Sequence, residues 1–290
     1  MADFRLKEVP LENIPKFLEV LESKLPDTVV PHQWIKIQKN WERHIPGLKV
    51  RIFTVNGDWR DGSAICLADG PVEGNKMLAA IYATEEGQEA LKNAAISTNL
   101  IDWKRIKIFY AVLERNVPML REILTNKGCK LYGDIEKRCF TFYLPSEKAM
   151  DYQLPQLPEN VRVGPLGEQH LQILCENWPI FDEEYTPYVL NTIKLNLTVG
   201  VFVKNSRGEE ELASMVMHRE SGEVGLLQTV PEHRRKGYAE IALAHIIKLI
   251  GQKGLVPFAT VIVENKASRG LFEKMNFGVQ GMSADIDVKE

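Results

Sequence analysis

The sequence predicts an α/β (α+β) fold: a mixed, mostly antiparallel sheet with helices on both faces. Three observations carry this. The second half orders its elements as two helices, three strands, a long helix, a strand, a short helix and a last strand. The first half runs through a similar order: two helices, three strands, then helix and strand in alternation. Residues 226–248, LLQTVPEHRRKGYAEIALAHIIK, read as a buried strand, a basic turn and an amphipathic helix.

Each element follows from its own residues. Positions 11–25 place Ile14, Phe17, Leu18, Leu21 and Leu25 on one face, which predicts a helix that Pro26 ends. A second helix is expected after Pro31, carrying Trp34, Ile35, Ile37 and Trp41 and closed by Pro46-Gly47. Strands are expected at 49–55, 63–68 and 77–82, with Asn56-Gly57 and Asp69-Gly70-Pro71 as the turns between them. A helix at 85–95, a strand at 106–110, a helix at 116–125 and a strand at 139–144 complete the first half.

Residues 150–165 hold Pro155, Pro158 and Pro165 and little apolar periodicity, so they read as a linker. The expected division is a first domain at 1–150, a linker at 151–160 and a second domain at 161–290, opened by Val161-Arg162-Val163 as a strand. Helices then follow at 167–178 and 185–196, and strands at 198–204, 211–218 and 223–230. Pro231 cannot donate to a ladder, so the third strand stops there. Ala239, Ala242, Leu243, Ile246, Ile247 and Ile250 recur at helical spacing. A strand at 258–263, a helix at 267–275 and a strand at 278–288 close the chain. Asn276 stands at the helix exit, where a left-handed residue is common and Asn tolerates it well.

Length and composition set bounds. The 290 residues suffice for two ordinary domains, and the 44% hydrophobic and 26% charged content is that of a soluble globular chain. A net charge of −3 argues against a general nucleic-acid or membrane-surface role. No apolar run reaches the length of a membrane span, and the first twenty residues have neither a secretory apolar core nor the pattern of a transit peptide. Cys66, Cys129, Cys139 and Cys175 have no metal-ligand spacing and read as reduced, structural thiols. The expectation is an intracellular protein, cytoplasmic or mitochondrial, without a bound metal.

The turn at 232–237 has a chemical use. The first amides of a helix lack an internal partner and that end is partly positive, so a turn aimed at it is a ready anion site. Gly237 admits a ligand to the backbone, Ala239 is small, and Arg234, Arg235 and Lys236 add positive charge. A pyrophosphate fits such a site.

Arg234-Arg235-Lys236-Gly237-Tyr238-Ala239 resembles the R/Q-x-x-G-x-G/A signature of the GCN5-related N-acetyltransferase (GNAT) superfamily. Residues 263–278 resemble that superfamily's closing segment, N-x-x-S/A-x-x-L-Y/F-E-K-x-G-F, with Asn265, Ser268, Leu271, Phe272, Glu273 and Lys274 in place. The resemblance implies a GNAT fold and an acyl-CoA or acetyl-CoA co-substrate, held by Arg234, Arg235, Lys236, Gly237, Tyr238 and Ala239. It also implies that Leu227, Gln228 and Val230 meet the pantetheine arm and the thioester oxygen through their backbone. The resemblance further implies that Asn265, Ser268 and Phe272 border the same cofactor, with Asn265 either orienting it or fixing the local strand end. The first half has no such turn after any strand, and reads as a degenerate GNAT-like copy without the cofactor loop.

Within the superfamily the chain looks most like the glycine N-acyltransferase family. Residues 11–26, His44-Ile45-Pro46-Gly47, Leu100-Ile101-Asp102-Trp103-Lys104, Ser221-Gly222-Glu223 and Thr229-Val230-Pro231-Glu232-His233-Arg234 carry that likeness. It implies transfer of an acyl group to the amino group of glycine or another amino acid.

Amide formation from a thioester needs a base for the amine, a donor for the developing oxyanion and a fate for the thiolate. Glu223 opens the strand that runs into the loop, and the resemblance puts the family's base there; by itself it reads as a solvated turn carboxylate. Glu220 and His218 are neighbours that compete for the role, with His218 also readable as an exposed strand end. The acid is a gap: many superfamily members have Tyr where this chain has Phe272. Tyr238 offers a hydroxyl in the loop. His233 reads as a solvent-facing turn residue. Trp178, Phe181, Tyr185 and Tyr188 read as core, although the resemblance sets their helices beside the acceptor site.

Three functions stay open: an N-acyltransferase acting on a small amine, a non-catalytic acyl-CoA-binding module, and a protein N-acetyltransferase. Acyl chain length, the identity of the amine and the oligomeric state are not written in these motifs.

Overall fold

A computed structural model describes residues 4–70, 72, 76–131, 137–178 and 183–289. In chain order the elements are β1 (Leu6–Glu8), α1 (Ile14–Ser23), α2 (Val29–His44), β2 (Lys49–Val55), β3 (Ala64–Asp69), β4 (Met77–Tyr82), α3 (Gln88–Ser97), β5 (Ile106–Leu113), α4 (Val117–Asn126), β6 (Lys130–Leu131) and β7 (Lys137–Tyr143). There follow α5 (Ser146–Met150), β8 (Val161–Gly164), α6 (Leu171–Asn177), α7 (Thr186–Leu195), β9 (Thr198–Lys204), β10 (Glu210–His218), β11 (Val224–Thr229), α8 (Tyr238–Gln252), β12 (Phe258–Ile262), α9 (Lys266–Lys274) and β13 (Gly278–Lys289).

The expected elements are present, with a few differences. β1, β6 and α5 are short and carry too few residues to show a period. α2 starts two residues before Pro31. Proline in the first turn lacks only an amide that has no intrahelical acceptor there, so it does not mark the start. The Asp69-Gly70-Pro71 turn lies partly outside the described residues. Asn276 exits α9 with φ of 66°.

The chain forms two compact units that are not contiguous in sequence. The first comprises Met1–Thr141, Thr260–Glu264 and Val279–Glu290; the second comprises Phe142–Ala259 and Asn265–Gly278. The first contains a nine-stranded sheet in the order β1-β2-β3-β4-β5-β13-β7-β12, with β6 also paired to β13. β4 and β5 are parallel, and β13 lies antiparallel to β5 with Ser283 opposite Leu113. One face packs Phe53, Ile65, Leu67, Ala79, Ile81 and Phe109 against Leu91, Ala94 and Ala95 of α3 and Leu120 and Ile123 of α4. α2 packs on β2, β3 and β4.

The second unit contains the four-stranded antiparallel sheet β11-β10-β9-β8. Met215, Met217, Leu212 and Phe202 on one face meet Leu174 of α6 and Val189 and Ile193 of α7. α8 packs on β9, β10 and β11 with Ile241, Leu243, Ile246, Ile247 and Ile250 buried. α5 crosses α8 at Gly251, where a Cβ would lie 2.5 Å from the backbone of Ala149. β11 is an edge of this sheet, and that edge positions the site.

Candidate functional site

The site is built on β11 and the turn that follows it. β11 pairs with β10 through Met217↔Gly225, Met215↔Gln228 and Ser214↔Thr229. Leu226 and Leu227 of β11 thus oppose the single residue Val216 of β10, so the strand carries a β-bulge, and Leu226 takes φ of 53° within it. Beyond the bulge the Val230 amide donates to the Ala213 carbonyl at 3.0 Å. In an antiparallel ladder the residues on either side of such a bonded position turn their amides outward. Two residues back from Val230, Gln228 is the next such position, paired with Met215, so Leu227 and Thr229 on either side of it present their backbone to the free edge. This corrects the sequence assignment: the Val230 amide is already committed to the ladder, and Gln228 faces β10 through its backbone, with its carbonyl accepting from the Ser214 hydroxyl at 2.7 Å. Thr229 is the edge residue the sequence reading missed.

The turn after β11 has the geometry of an anion cradle. Arg235 takes φ of 64° and Gly237 φ of 83°, both left-handed. Gly237 caps α8, and its carbonyl accepts the Glu240 and Ile241 amides. The Tyr238 and Ala239 amides stand in the first turn, where no intrahelical acceptor exists. Arg234 is anchored, its Nε donating to the Thr229 carbonyl at 3.2 Å. Arg235 and Lys236 are exposed and have no ion-pair partner among the described residues. Tyr238 is buried, its ring 6.1 Å from that of His233. His233 is not solvent-facing: its side chain is 13% exposed, and Nε2 lies 3.5 Å from Glu211 Oε2.

Glu223 stands just ahead of β11. Far from being a solvated turn carboxylate, it is 5% exposed, and Glu220 is 3% exposed. One guanidinium serves both: Arg219 Nη1 donates to Glu223 Oε1 at 2.5 Å and Nη2 to Glu220 Oε1 at 2.9 Å. A Cβ on Gly225 would lie 2.6 Å from Arg219 Cδ and 3.6 Å from Glu223 Oε1, so the pair lies over Gly225. Gly225 is paired with Met217, which puts Glu223 on the sheet face that meets α6 and α7. Arg219 and Gly225 were not recognised in the sequence; the Arg-x-x-x-Glu spacing across the hairpin turn was the available signal. His218 is buried too, not an exposed strand end. Its Nε2 donates to the Gly222 carbonyl at 2.8 Å, and burial lowers its pKa to about 4. It pairs with Val224, on the opposite face from Glu223.

The closing segment behaves as a frame. Asn265 caps α9, its side chain accepting from the Ser268 amide at 3.1 Å. Phe272 is 3% exposed, stacked on Phe142 at 5.6 Å and edge-on to Phe277 at 5.1 Å. Lys274 of α9 pairs with Glu240 of α8 at 2.5 Å. Trp178 meets Tyr185 edge-on at 5.8 Å, and Tyr185 lies 6.2 Å from Tyr188; Phe181 lies outside the described residues.

The corresponding place in the first unit is closed. There β4 and β5 are hydrogen-bonded, and beyond them the Asn116 side chain, fully buried, bonds both the amide and the carbonyl of Ala83. The turn into α3 carries Glu85 and Glu86 in place of cations. Asp61 Oδ2 lies 2.8 Å from where a Gly87 Cβ would stand, bonded to Ser63 and Thr84, whose hydroxyl accepts the Gly87 amide. A carboxylate of the chain itself occupies the start of that helix. Among the described residues no group of three or more His, Cys, Asp or Glu side chains is placed to hold a metal, and no helix is long and apolar enough to cross a membrane.

The chain has the tandem GNAT fold, and comparison with known proteins places it there. The family model described as FR47-like protein matches residues 198–283, a span that holds β11, the basic turn, all of α9 and the first half of β13. A Drosophila protein of known X-ray structure superimposes with a TM-score of 0.80 at 18% identity, covering 99% of each chain. A tandem GNAT protein from the clavulanic acid biosynthesis pathway superimposes with a TM-score of 0.52 at 12% identity, covering 97% of this chain and 98% of its own. No curated protein sequence matches the chain. The glycine N-acyltransferase likeness is not supported by these matches, which reach the GNAT level alone.

Proposed function

We propose that the protein is an acyl-CoA-dependent N-acyltransferase whose acceptor is a small primary amine, glycine or another amino acid. The observation that carries this reading is the combination on one strand: a buried carboxylate at the start of β11, outward backbone amides at its bulge, and an exposed basic anion cradle at its end. The cradle of Arg234, Arg235, Lys236, Gly237, Tyr238 and Ala239 binds the pyrophosphate. The free edge at Leu227 and Thr229 pairs with the pantetheine arm, and the Leu227 amide stabilises the thioester oxygen as charge builds on it.

The amine nitrogen attacks the thioester carbon, so a C–N bond forms and the C–S bond breaks. Glu223 takes the proton the amine gives up, and Arg219 holds its carboxylate in place. CoA leaves as a thiolate and takes a proton from solvent, since Phe272 is a core ring and has none to give. The aromatic pair Trp178 and Tyr185 borders the acceptor. The first unit binds no cofactor, because Asn116 and Asp61 fill its equivalent site.

A non-catalytic acyl-CoA-binding module is the second reading, favoured by the burial of Phe272 where a proton donor would stand. Calorimetric titration with CoA, acetyl-CoA and a longer acyl-CoA, beside the Arg234→Glu, Gly237→Asp double variant, tests the cradle. Thiol release from acetyl-CoA with a panel of amines tests the chemistry. Binding lost in the double variant together with amine-dependent thiol release supports the enzyme. Binding without release from any acyl-CoA supports the module, and no binding ends both readings.

A further inference from the structure

The bulge in β11 does more than free a backbone edge. It sets two side chains on one face of the sheet. Gly225 is paired with Met217 and Gln228 with Met215, and both methionines lie in the cluster that meets α6 and α7. Without the extra residue at Leu226, positions 225 and 228 would point to opposite faces. With it, the Glu223 carboxylate over Gly225 and the Gln228 amide share a face, with the outward Leu227 amide at the edge between them. Two pleats separate Gly225 from Gln228, roughly 7 Å along the strand.

Gln228 is out of character with its surroundings. Leu226 and Val230, on either side of it on this face, pack on the apolar cluster, as does Trp178. Its side-chain carbonyl oxygen is buried and has no hydrogen-bond partner among the described residues. A buried acceptor that the chain itself leaves without a donor is open to one supplied from outside it, by water or by a ligand. The Thr192 hydroxyl of α7, the helix that covers this face, is buried without a partner as well.

We infer that Gln228 positions the attacking amine: its Oε1 accepts one N–H of the acceptor while Glu223 takes another. This rests on the transferase reading above and names a specificity determinant within it. A primary amine loses one proton to Glu223 and still carries an N–H through to the amide product, so the Gln228 bond persists along the reaction. A secondary amine has no N–H left after transfer. The site therefore selects small primary amines, and the Gln228 bond aims the nitrogen lone pair at the thioester carbon.

The test is Gln228→Met, which keeps the side-chain length and removes the acceptor oxygen. Initial rates of thiol release are measured with acetyl-CoA and the best acceptor among glycine, alanine, glutamine, ethanolamine and benzylamine. The acceptor KM should rise about tenfold, the magnitude of one hydrogen bond to substrate, while the calorimetric Kd for acetyl-CoA stays unchanged. The melting temperature of the unliganded variant should stay within about 2 °C of the parent or rise, because no internal bond is lost. An unchanged acceptor KM overturns the inference alone and leaves the transferase reading standing. So does a melting temperature lower by about 5 °C or more, which would mean the carbonyl serves the fold. Absence of thiol release by the parent protein with every amine removes the transferase reading and this inference with it.

Discussion

At the scale of single residues, the site depends on a glycine and a guanidinium that carry no chemistry of their own. Gly225 leaves room for the Arg219 side chain, which would otherwise meet a Cβ at 2.6 Å. Gly225→Ala should displace Arg219 and the Glu223 carboxylate with it, lowering kcat at least tenfold while the Kd for CoA measured by calorimetry stays put. Glu223→Gln removes the proposed proton acceptor and keeps the size of the group. Its kcat/KM should fall by about 100-fold or more, the usual weight of a general base, with CoA affinity unchanged. Turnover that survives Glu223→Gln unaltered would move the base elsewhere. His218 cannot take its place readily, for burial keeps it neutral on the far face of the hairpin.

Elements decide which backbone groups are free. β11 offers Leu227 and Thr229 because a left-handed Leu226 shifts the register by one residue, and that shift also commits Val230 to the ladder. α8 begins at a left-handed Gly237, where the chain turns its first amides outward. The packing of α5 on α8 is equally strict. Gly251→Ala would push a methyl group to within 2.5 Å of the Ala149 backbone, which cannot yield as a flexible side chain would. A loss of about 1–3 kcal/mol is expected by urea denaturation, the range for overpacking a close contact. Asn265→Ala should cost about 1 kcal/mol through the lost cap on α9, with the effect read in the same experiment.

At the largest scale, the sheet of the first unit is tied together by the last strand of the chain. β13 lies between β5 and β7 in the nine-stranded sheet, although it is the final element of the chain. Removing residues 279–290 opens that sheet in its interior, so the truncated chain should lose cooperative unfolding as followed by circular dichroism. Stability should also depend on acidity. Burial depresses the His218 pKa from 6.5 to about 4, and burial with help from Lys36 depresses that of His32 from 6.5 to about 3. The unfolded chain therefore binds these protons first. Stability is fully present above about pH 6.5 and is lost as the pH falls toward 4 and then 3, with a slope of up to about 1.4 kcal/mol per pH unit for each histidine. Replacing both with Gln should flatten this limb in a pH series of urea melts. One acyl-CoA per chain is the stoichiometry expected from calorimetry, since the first unit closes its own site with Asn116 and Asp61.

The sequence by itself determined the longer elements and their order, because hydrophobic period, proline and glycine act over a few residues, whereas β1, β6 and α5 are too short to show a period. The turn Arg234–Ala239, the stop at Pro231 and the left-handed Asn276 were legible for that reason. It also pointed to Glu223, through a short motif. Only the tertiary structure decided what surrounds that carboxylate, since burial and a shared guanidinium are set by strands that meet across a hairpin. The same holds for the bulge: nothing in Leu226 announces a left-handed residue, and the ladder alone shows which amides it frees. The sheet of the first unit is the largest example. A strand whose Ser283 lies opposite Leu113, 170 residues away in sequence, completes it, and pairing between distant segments leaves no local periodicity to read.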